Sequence, residues 1–331
     1  MQKVLSVSVA AYNVSAFIAQ CLDSFLAPGV MERVEVLVTD DGSTDNTPQL
    51  VAEYEKRCPG TVRLISQKNA GPGSTVNSGI AHATGKYFRM VDGDDWVNTE
   101  DMGAFLDFLE KTDADMVCAD FCRVDHETGA QEPSKLGAAP CVSRPFEEAC
   151  GNLSLSMHNV TYKTALLQDN GIHLDNCFYT DSEYLLFPIP YVKTVGITDQ
   201  TVYMYRVSLS TQSMNIGSLQ RNRDMHRLVL GHLCDAYQAY EKSGAVQPNT
   251  GEFLRRSIAS MAGMQLCIYL SMEDEKTYRK ETENMLREIQ SKIRALYDQV
   301  NSATTFHLLT SSHFVLFSML AKRQKKKLGL I

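Results

Sequence analysis

The first 92 residues alternate between short apolar runs and amphipathic stretches, and this order constrains the fold more than any other feature. Apolar runs rich in β-branched residues are typical of buried strands, and four occur, at 4–10, 34–39, 62–66 and 86–91. Apolar residues at helical spacing occupy the stretches between them, at 15–25, 44–57 and 71–83. This order predicts an α/β fold with a mostly parallel sheet covered by helices on both faces.

The rest of the chain predicts a second half of the sheet followed by a helical region. The expected elements up to residue 206 are a helix at 100–111, a strand at 116–124, a mobile polar loop at 126–145, helices near 162–170 and 184–192, and a short strand at 200–206. Long helical patterns follow, at 219–243, 251–271 and 274–299. A chain of 331 residues exceeds one core, so we expect an α/β domain at 1–215 and a helical region at 216–331, with a boundary near 213–219.

Composition and charge argue against several classes of protein. A net charge of -7 is unfavourable for a general nucleic-acid binder, and no apolar run approaches the roughly 20 residues that cross a bilayer. The nine cysteines are scattered and include no CxxC pair, which argues against a zinc site and favours reduced thiols. The first residues run directly into a strand without a signal-peptide pattern. We therefore expect a cytoplasmic location.

Polar side chains follow the predicted strands at the points where ligands bind in such sheets. Ligands of open α/β sheets lie at the carboxyl ends of the strands. The residues at those ends are Ala11-Tyr12-Asn13, Asp40-Asp41-Gly42-Ser43, Asn69 and Asp92-Gly93-Asp94-Asp95. All four turns carry carboxylate or amide side chains, so they form a constellation and not an isolated motif.

Asp92-Gly93-Asp94 has the residue types of a divalent cation site. Two carboxylates one residue apart point the same way on an extended backbone, and Gly93 permits a close approach to the backbone. Mg²⁺ and Mn²⁺ take hard oxygen ligands and commonly retain substrate phosphate. A solvated turn is the alternative; the preceding strand, the second Asp cluster and the adjacent Trp96 favour the metal site.

Two further segments have both a ligand-binding and a structural interpretation. Asp41 is suited to accept hydrogen bonds from a base or a ribose, whereas Asp45 is suited to cap the next helix. The segment 71–75, the Gly-rich loop, can present backbone N–H groups to a phosphate at the start of a helix. It lacks the Gly-Lys-Ser/Thr of a P-loop, and a plain turn remains its alternative.

In combination these motifs resemble the inverting family 2 glycosyltransferases of the GT-A fold, of the type that acts on bacterial cell envelopes and capsules. The resemblance covers about residues 3–215 and rests on five segments in the family's order: VSVAAYNVSAFIAQCLDSFL, VEVLVTDDGSTDNT, QKNAGPGSTVNSGIAHATGKYFRMVDGDDWV, YTDSEYLLF and VYMYRVSLSTQS. The motifs are specific for the family and say little about the donor or the acceptor.

The resemblance implies a role for each matching residue. The nucleotide-sugar would be held by Ala11, Tyr12, Asn13, Asp41, Asn69, Gly73, Asp92 and Gly93. Asp94, together with Asp92, would bind Mn²⁺ or Mg²⁺. The catalytic base would come from the later acidic motif, where Asp181 is the expected base and Glu183 follows two residues on.

The chain departs from the family pattern at three points. The usual proline of the first motif is replaced by alanine at position 10 or 11, and the arginine expected after the Gly-rich loop is Val76. The acidic pair of the later motif reads Thr180-Asp181. A looser first turn and a missing positive charge are the expected consequences.

Other residues have weaker patterns. His158, Asn159 and Trp96 are expected on the acceptor side, with a loop or core position as the alternative for His158. Arg206 and the pair Gln212-Ser213 follow the last predicted strand, where they would contact donor phosphates or lie on the surface.

The end of the chain has an amphiphilic pattern. A basic run at 322–327 follows an apolar segment at 314–321, in a chain that is acidic as a whole. A short apolar helix with a cationic end can lie on an anionic membrane surface, so 313–327 is a candidate for peripheral contact with the inner face of the cell membrane. The alternative is a helix packed on the protein with a charged tail.

The expected activity is transfer of a sugar, with inversion, from a nucleotide-sugar to a hydroxyl of a cell-envelope glycan, glycolipid or polymer, and UDP is the expected nucleotide. A sugar nucleotidyltransferase is one alternative, but it needs a basic Gly-rich loop where this chain has Ala11-Tyr12-Asn13. A non-catalytic subunit that binds nucleotide-sugars is the other, and the acidic residues Asp92, Asp94 and Asp181 argue against it.

Overall fold

A computed structural model describes residues 3–209 and 215–331 of the chain. The chain divides into two compact units, Met1–Leu209 and Ser210–Ile331. Gln212 and Ser213, with the start of the predicted boundary, lie outside the described residues. The functions expected for 1–215 and 216–331 stay predictions.

The strands of the first unit form a single sheet. They are β1 (Leu5–Ala11), β2 (Val34–Asp40), β3 (Val62–Ser66), β4 (Tyr87–Asp92), β5 (Trp96–Val97), β6 (Met116–Asp125), β7 (Gln131–Ser134), β8 (Cys141–Pro145), β9 (Val160–Lys163) and β10 (Thr194–Val207). Their order in the sheet is β3-β2-β1-β4-β9-β6-β10-β5, and β7 and β8 pair with β6 and β10.

Helices connect these strands. They are α1 (Ile18–Asp23), α2 (Thr47–Arg57), α3 (Pro72–His82), α4 (Thr99–Lys111), α5 (Phe146–Ala149), α6 (Thr164–Asp169) and α7 (Asp181–Leu186), with 3₁₀ turns at Cys150–Asn152 and Ile189–Tyr191. The predicted α/β class and the first four strand–helix alternations are therefore confirmed.

The parallel part of the sheet is its first half. β3, β2, β1 and β4 are all parallel, and β1 lies in the centre of this group with all seven residues buried or nearly so. The register aligns Ala11 with Asp40, and Ala10 with Asp92, so these strands end together at one edge. Beyond β4 the pairing is mixed, because β9 is antiparallel to both of its neighbours whereas β6 and β10 are parallel.

The structure corrects several expectations for 126–206. The polar segment 126–145 contains β7 and β8, and their mostly exposed side chains gave no apolar alternation to indicate strands. The helix near 162–170 is β9 followed by α6, and the helix near 184–192 is α7, which begins at Asp181, followed by a 3₁₀ turn. The short strand expected at 200–206 is part of the longer β10, which begins at Thr194. The pairing register of β10 with β6 shifts between Ile197 and Tyr203, so the strand lacks one regular alternation along its length.

The second unit is helical within its described residues. Its helices are α8 (Ile216–Arg221), α9 (Arg223–Lys242), α10 (Pro248–Ser271), α11 (Glu275–Lys292), α12 (Arg294–Ser302), α13 (Thr304–Ser311) and α14 (Phe317–Lys327). Two expected helices are each divided in two. The breaks fall at Asn222 and at Ile293, where φ -144° and ψ 97° are not helical.

The apolar segment near the end of the chain packs in part on its own unit. Phe317, Leu320 and Ala321 of α14 are buried, whereas Val315 and Met319 are exposed. Within the described residues, no helix is both long and apolar enough to cross a membrane. Contact of 313–327 with a membrane surface stays a prediction.

Candidate active site

The end of β4 forms a tight turn of acidic residues, Asp92-Gly93-Asp94-Asp95, which is the acidic turn. The Gly93 amide donates a hydrogen bond of 3.0 Å to the Ala10 carbonyl, and the Asp95 amide donates one of 3.0 Å to the Asp92 carbonyl. A Cβ atom at Gly93 would lie 2.8 Å from the Ala10 carbonyl oxygen. Glycine is therefore needed because the turn lies directly against the end of β1.

The acidic side chains of this turn have different surroundings. Asp95 is 2% exposed, and its two carboxylate oxygens accept hydrogen bonds from the Tyr203 hydroxyl at 2.6 Å and the Arg206 amide at 2.7 Å. Asp92 and Asp94 are only partly buried. Asp95 thus fastens the turn to β10, and the other two carboxylates are the ones available to a ligand.

The three carboxylates are crowded. One oxygen from each of Asp92, Asp94 and Asp95 lies within 4.8 Å of the other two. Burial, followed by the charges of Asp94 and Asp181, raises the pKa of Asp92 to about 7. Burial also raises the pKa of Asp94. Such a cluster of hard oxygen ligands is stabilised by a cation.

The Arg206 side chain hydrogen-bonds to the backbone of the acidic turn. Its Nε donates to the Asp94 carbonyl at 2.7 Å, and Nη2 donates to Oε1 of Gln20 at 2.7 Å. The guanidinium lies between the rings of Phe17 and Trp96, at 4.9 and 4.7 Å from their centroids. Because Arg206 is 8% exposed, these contacts place its charge inside the protein. The Trp96 ring, which was expected to face an acceptor, thus contacts Arg206 and is only partly buried.

Asp41 organises the Gly-rich loop. One carboxylate oxygen accepts from the Gln67 side chain at 2.7 Å and the Ala70 amide at 2.9 Å, and the other accepts from the Gly71 amide at 2.9 Å. The side chain is 3% exposed. The N-cap of α2 is Asn46 and not the expected Asp45, which lies one residue earlier and whose carboxylate accepts from the Thr47 amide at 2.9 Å and the Ser15 amide at 3.0 Å.

The segment after β1 is joined to the segment after β2 through Asn13. Its φ is 54°, and its side-chain oxygen accepts from the Thr44 amide at 2.8 Å while its own amide donates to Oγ of Ser43 at 2.9 Å. Ala11 is buried at the end of β1, and the Tyr12 ring beside it is 52% exposed. Tyr12 is thus the side chain of this segment that is open to a ligand.

The start of α3 lies against the loop that precedes α7. A Cβ atom at Gly73 would lie 1.9 Å from the Asp175 carbonyl oxygen, so no larger residue fits without moving that loop. Asn69 is exposed beside the same Gly-rich segment. The structure therefore brings the Gly-rich loop and the later acidic motif together.

The later acidic motif places its two carboxylates differently. Asp181 begins α7, its pKa is raised by burial, and its charge contributes to the raised pKa of Asp92. Glu183 is 0% exposed, and its Oε2 accepts from the Asp175 amide at 2.7 Å. Asp181 thus lies near the acidic turn, whereas Glu183 holds the loop that approaches Gly73.

His158 lies in an aromatic cluster beside the acidic turn. Its ring stacks on Tyr205 with centroids 4.1 Å apart and meets Tyr203 edge-on at 4.8 Å. Burial, with smaller contributions from Arg89 and Arg123, lowers the pKa of His158 to about 3. The imidazole is therefore neutral near pH 7.

Asn159 is used by the turn that contains it. The side chain accepts from the Ser156 amide at 2.9 Å and donates to the Ser154 carbonyl at 3.0 Å, and it is 4% exposed. The Asn159 amide is buried and bonded within its own turn, so this side chain is not open to an acceptor in the structure.

Sequence reasoning missed two residues that support the site. The Tyr203 hydroxyl bonds both Asp95 and the Asp92 amide, the latter at 3.2 Å. Arg89 is 0% exposed in the middle of β4, where it donates to Thr161 at 2.9 Å and to the His158 carbonyl. An arginine within an otherwise apolar strand was the available signal, because a buried charge needs specific partners.

Residues 6–171, about half of the chain, match the sequence profile described as "Glycosyl transferase family 2". The chain belongs to this family. The family predicted from the motifs is therefore confirmed, and the acidic turn, the Gly-rich loop and Asn13 all lie inside the matched region.

Curated relatives are similar over part of their length. The chain is 27% identical over 216 residues to the "Uncharacterized glycosyltransferase EpsJ" of Bacillus subtilis, and the match covers 62% of each chain. It is 26% identical over 213 residues to the poly(ribitol-phosphate) beta-N-acetylglucosaminyltransferase TarS of Staphylococcus aureus, covering 63% of this chain and 36% of TarS. The match thus spans less than two thirds of either relative.

Solved structures confirm the fold over nearly the whole chain. A crystal structure of S. aureus TarS 1-349 in complex with UDP-GlcNAc covers 98% of this chain and 92% of that one, with a TM-score of 0.69 at 19% identity. The mannosyltransferase PcManGT from Pyrobaculum calidifontis, in complex with GDP-Man and Mn²⁺, gives a TM-score of 0.51 at 15% identity over 98% of this chain and 87% of that one. The predicted GT-A type fold with a helical C-terminal region is confirmed.

Proposed function

We propose that the chain transfers a sugar from a nucleoside diphosphate sugar, expected to be a UDP-sugar, to a hydroxyl group of a cell-envelope glycan, glycolipid or polymer. The observation that carries this proposal is the acidic turn. Asp92 and Asp94 lie on a turn that Asp95 bonds to β10, and the charge of Asp181 acts on Asp92. Family membership and the UDP-GlcNAc and polymer named for TarS support the same reaction class.

A divalent cation fits the donor atoms of the acidic turn. Asp95 is occupied by Tyr203 and Arg206, so Asp94 and Asp92 would hold Mn²⁺ or Mg²⁺, with Asp94 as the principal ligand. One or two carboxylates plus substrate phosphate oxygens are the usual protein site for such ions. A bound cation would offset the charge that develops on the departing nucleoside diphosphate.

The nucleotide would lie at the joined ends of β1 and β2. The exposed Tyr12 ring offers a surface for the base, and Asn69 lies beside the Gly-rich loop that follows β3. Ala11, Asn13 and Gly93 would contribute through the backbone that they shape, and Gly73 through the close approach that it permits. Asp41 would act as a positioning residue, because its carboxylate already holds that loop.

Asp181 would serve as the catalytic base. The acceptor oxygen forms a bond to the anomeric carbon from the face opposite the leaving group, the carbon–oxygen bond to the diphosphate breaks, and the acceptor proton passes to the Asp181 carboxylate. A single displacement of this kind inverts the anomeric configuration. Glu183 would position the loop before α7 through its bond to the Asp175 amide.

Contacts of His158, Asn159 and Trp96 with the acceptor stay predictions. His158 and Trp96 both lie next to residues of β10 that fasten the acidic turn. A neutral His158 is suited to exchange hydrogen bonds with hydroxyl groups. The cytoplasmic location also stays a prediction.

Replacement of the base tests the proposal. We expect Asp181→Asn to lower the rate of transfer by about 10²–10⁴-fold, because no carboxylate is left to take the proton of the acceptor hydroxyl. Donor binding should be retained. Transfer is measured with a panel of nucleotide-sugars, and donor binding by calorimetry. Near-wild-type transfer by the variant would exclude Asp181 as the base.

The wild type distinguishes the two alternative functions. Release of pyrophosphate from a nucleoside triphosphate would favour a nucleotidyltransferase, and donor binding without transfer or hydrolysis would favour a non-catalytic subunit.

A further inference from the structure

The second unit contains a cavity of about 690 Å³, a volume typical of small-molecule sites. One wall is a face of α10 that carries Ala259, Gly263, Leu266, Cys267 and Leu270 at intervals of three or four residues. The start of α13 and one face of α14 form the other walls. All of these residues belong to the second unit, so the cavity is distinct from the acidic turn.

The inner part of the cavity is apolar. Leu266, Leu270, Phe306 and Leu320 contribute to it, and each is at most 7% exposed. Gly263 leaves open space on the α10 wall, since a Cβ atom there would have no neighbour within 4 Å. Space of this kind is suited to a hydrocarbon chain, because no polar group of a ligand would find a partner against these side chains.

The mouth of the cavity is cationic. Arg323 and Lys327 lie one helical turn apart on α14 and line it, and both are exposed. No ion pair of either side chain is recorded among the described residues, whereas the neighbouring Lys325 pairs with Glu275 at 3.1 Å. The cavity lining includes no acidic residue within the part of the chain that the structure describes. The two cations are therefore available to an anion.

We propose that this cavity binds the apolar chain of an anionic amphiphile, whose phosphate or carboxylate head group lies between Arg323 and Lys327. An apolar cavity lined by buried side chains and two unpaired cations beside it match the two ends of such a molecule. This assignment is more specific than contact of the basic run with a membrane, because it requires two of the cations and not the whole run. It does not depend on the proposed transferase reaction.

Cys267 gives a direct probe of occupancy. All nine cysteines lie in the described residues; Cys267 is exposed, Cys141 is partly exposed and the other seven are buried. Alkylation of the full chain carrying Cys141→Ser therefore reports on the cavity wall. Burial raises the pKa of the Cys267 thiol and the charge of Lys327 opposes this, so each variant is compared with itself, with and without ligand.

The first experiment uses dodecyl phosphate below its critical micelle concentration. At ten times its Kd, we expect it to slow alkylation of Cys267 about tenfold. Inorganic phosphate and the uncharged dodecyl ether of tetraethylene glycol are the comparisons, and each should protect far less because it supplies only one end of the amphiphile. An unchanged rate with dodecyl phosphate, or equal protection by either comparison compound, would overturn the proposal.

A matched pair of double variants tests the head-group contact. Arg323→Gln/Lys327→Gln removes the cations at the mouth, and Lys322→Gln/Lys326→Gln removes the same charge from α14 at positions outside the cavity lining. We expect the first pair to raise the Kd for dodecyl phosphate at least about tenfold, a loss typical of a charge-assisted contact, and the second to change it less than about twofold. Equal effects would mean that only the general charge of the helix matters.

Filling the cavity tests the position of the chain. Gly263→Leu places a side chain in the open space, whereas Gly263→Ala leaves most of it, and both substitutions favour the helix. We expect protection to be lost in the first variant and kept in the second. Protection kept in the Leu variant, or protection that rises with protein concentration in the absence of ligand, would reject an amphiphile as the occupant.

The source of the amphiphile is resolved by a vesicle arm. Protection of Cys267 by vesicles of phosphatidylcholine with phosphatidylglycerol, abolished by Gly263→Leu, would support the proposal with a membrane lipid as the ligand. Protection by dodecyl phosphate alone would support it with a freely diffusing amphiphile.

Discussion

Tyr203 and Asp95 show how single residues set the chemistry of the acidic turn. The phenol donates to the Asp95 carboxylate at 2.6 Å and accepts from the Asp92 amide at 3.2 Å, so one side chain of β10 fixes both ends of the turn. Both carboxylate oxygens of Asp95 are thereby engaged within the protein. The partly buried carboxylates of Asp92 and Asp94 are the ones proposed to hold a cation.

Removing the Tyr203 hydroxyl tests this arrangement. We expect Tyr203→Phe to lower the free energy of unfolding by about 1–3 kcal/mol, since a buried carboxylate loses a hydrogen bond. Tyr205→Phe is the matched control, because no hydrogen bond of its hydroxyl is recorded among the described residues. Urea unfolding measures both variants. Equal losses in the two would show that the Tyr203 hydroxyl does not hold the turn.

The neutral state of His158 makes a prediction for acid stability. Its folded-state pKa of about 3 lies below the usual value of 6.5, so the unfolded chain binds a proton more readily between these values. The contribution of neutral His158 to the free energy of unfolding is therefore complete above pH 6.5. It is lost as the pH falls toward 3, by up to about 1.4 kcal/mol per pH unit. His158→Phe retains an aromatic ring at the stacked position.

We accordingly expect the stability difference between wild type and His158→Phe to change with pH between 7 and 4, with the wild type losing more. Urea unfolding at pH 7, 6, 5 and 4 measures it. A constant difference across this range would show that the imidazole is protonated at no extra cost in the folded protein.

At the scale of helices and strands, local pattern predicted the elements whose apolar side chains repeat with the period of a strand or of a helix. The four parallel strands and α2, α3 and α4 follow from apolar periodicity, and Asp92, Asp94 and Asp41 were placed at strand ends for the same reason. The pattern did not indicate β7, β8 and β9, because edge strands with exposed side chains and a four-residue strand leave little alternation. Nor did it show that Asp95 and Asp41 are occupied, since the partners of Asp95 lie more than 100 residues away.

The contact between α3 and the loop before α7 makes a prediction about elements. Gly73→Ala brings a Cβ atom within 1.9 Å of the Asp175 carbonyl oxygen, so the loop that leads to Asp181 must move. We expect kcat/KM to fall at least about tenfold, because a displacement of about 1 Å at a catalytic group has large effects.

The control for this substitution is Gly103→Ala in α4, where a new Cβ atom meets nothing within 4 Å. Replacing this partly buried helical glycine with alanine should stabilise the protein by up to about 1 kcal/mol and leave transfer unchanged. Steady-state kinetics with the best donor measure both variants. Equal kinetics for Gly73→Ala and the wild type would mean that the loop does not set the position of Asp181.

At the scale of the whole molecule, the sequence indicated an α/β region followed by a helical one, and the structure contains two such units. The change in periodicity near residue 215 was sufficient for this, because helices with few Gly or Pro differ in pattern from alternating strands and helices. The cavity of the second unit was not predictable, since it arises where small residues of α10 meet side chains from α13 and α14. The match to family 2 lies in the first unit, which contains all the residues proposed for the reaction.

The proposed reaction requires the acidic turn to bind a nucleoside diphosphate through a divalent cation. This claim is tested by calorimetric titration of UDP into the full chain, with MnCl₂ or with EDTA. We predict binding that requires Mn²⁺, that weakens at least about tenfold in Asp94→Asn, and that persists in Asp181→Asn. UDP binding of equal affinity in EDTA, or an unchanged Kd in Asp94→Asn, would contradict the claim.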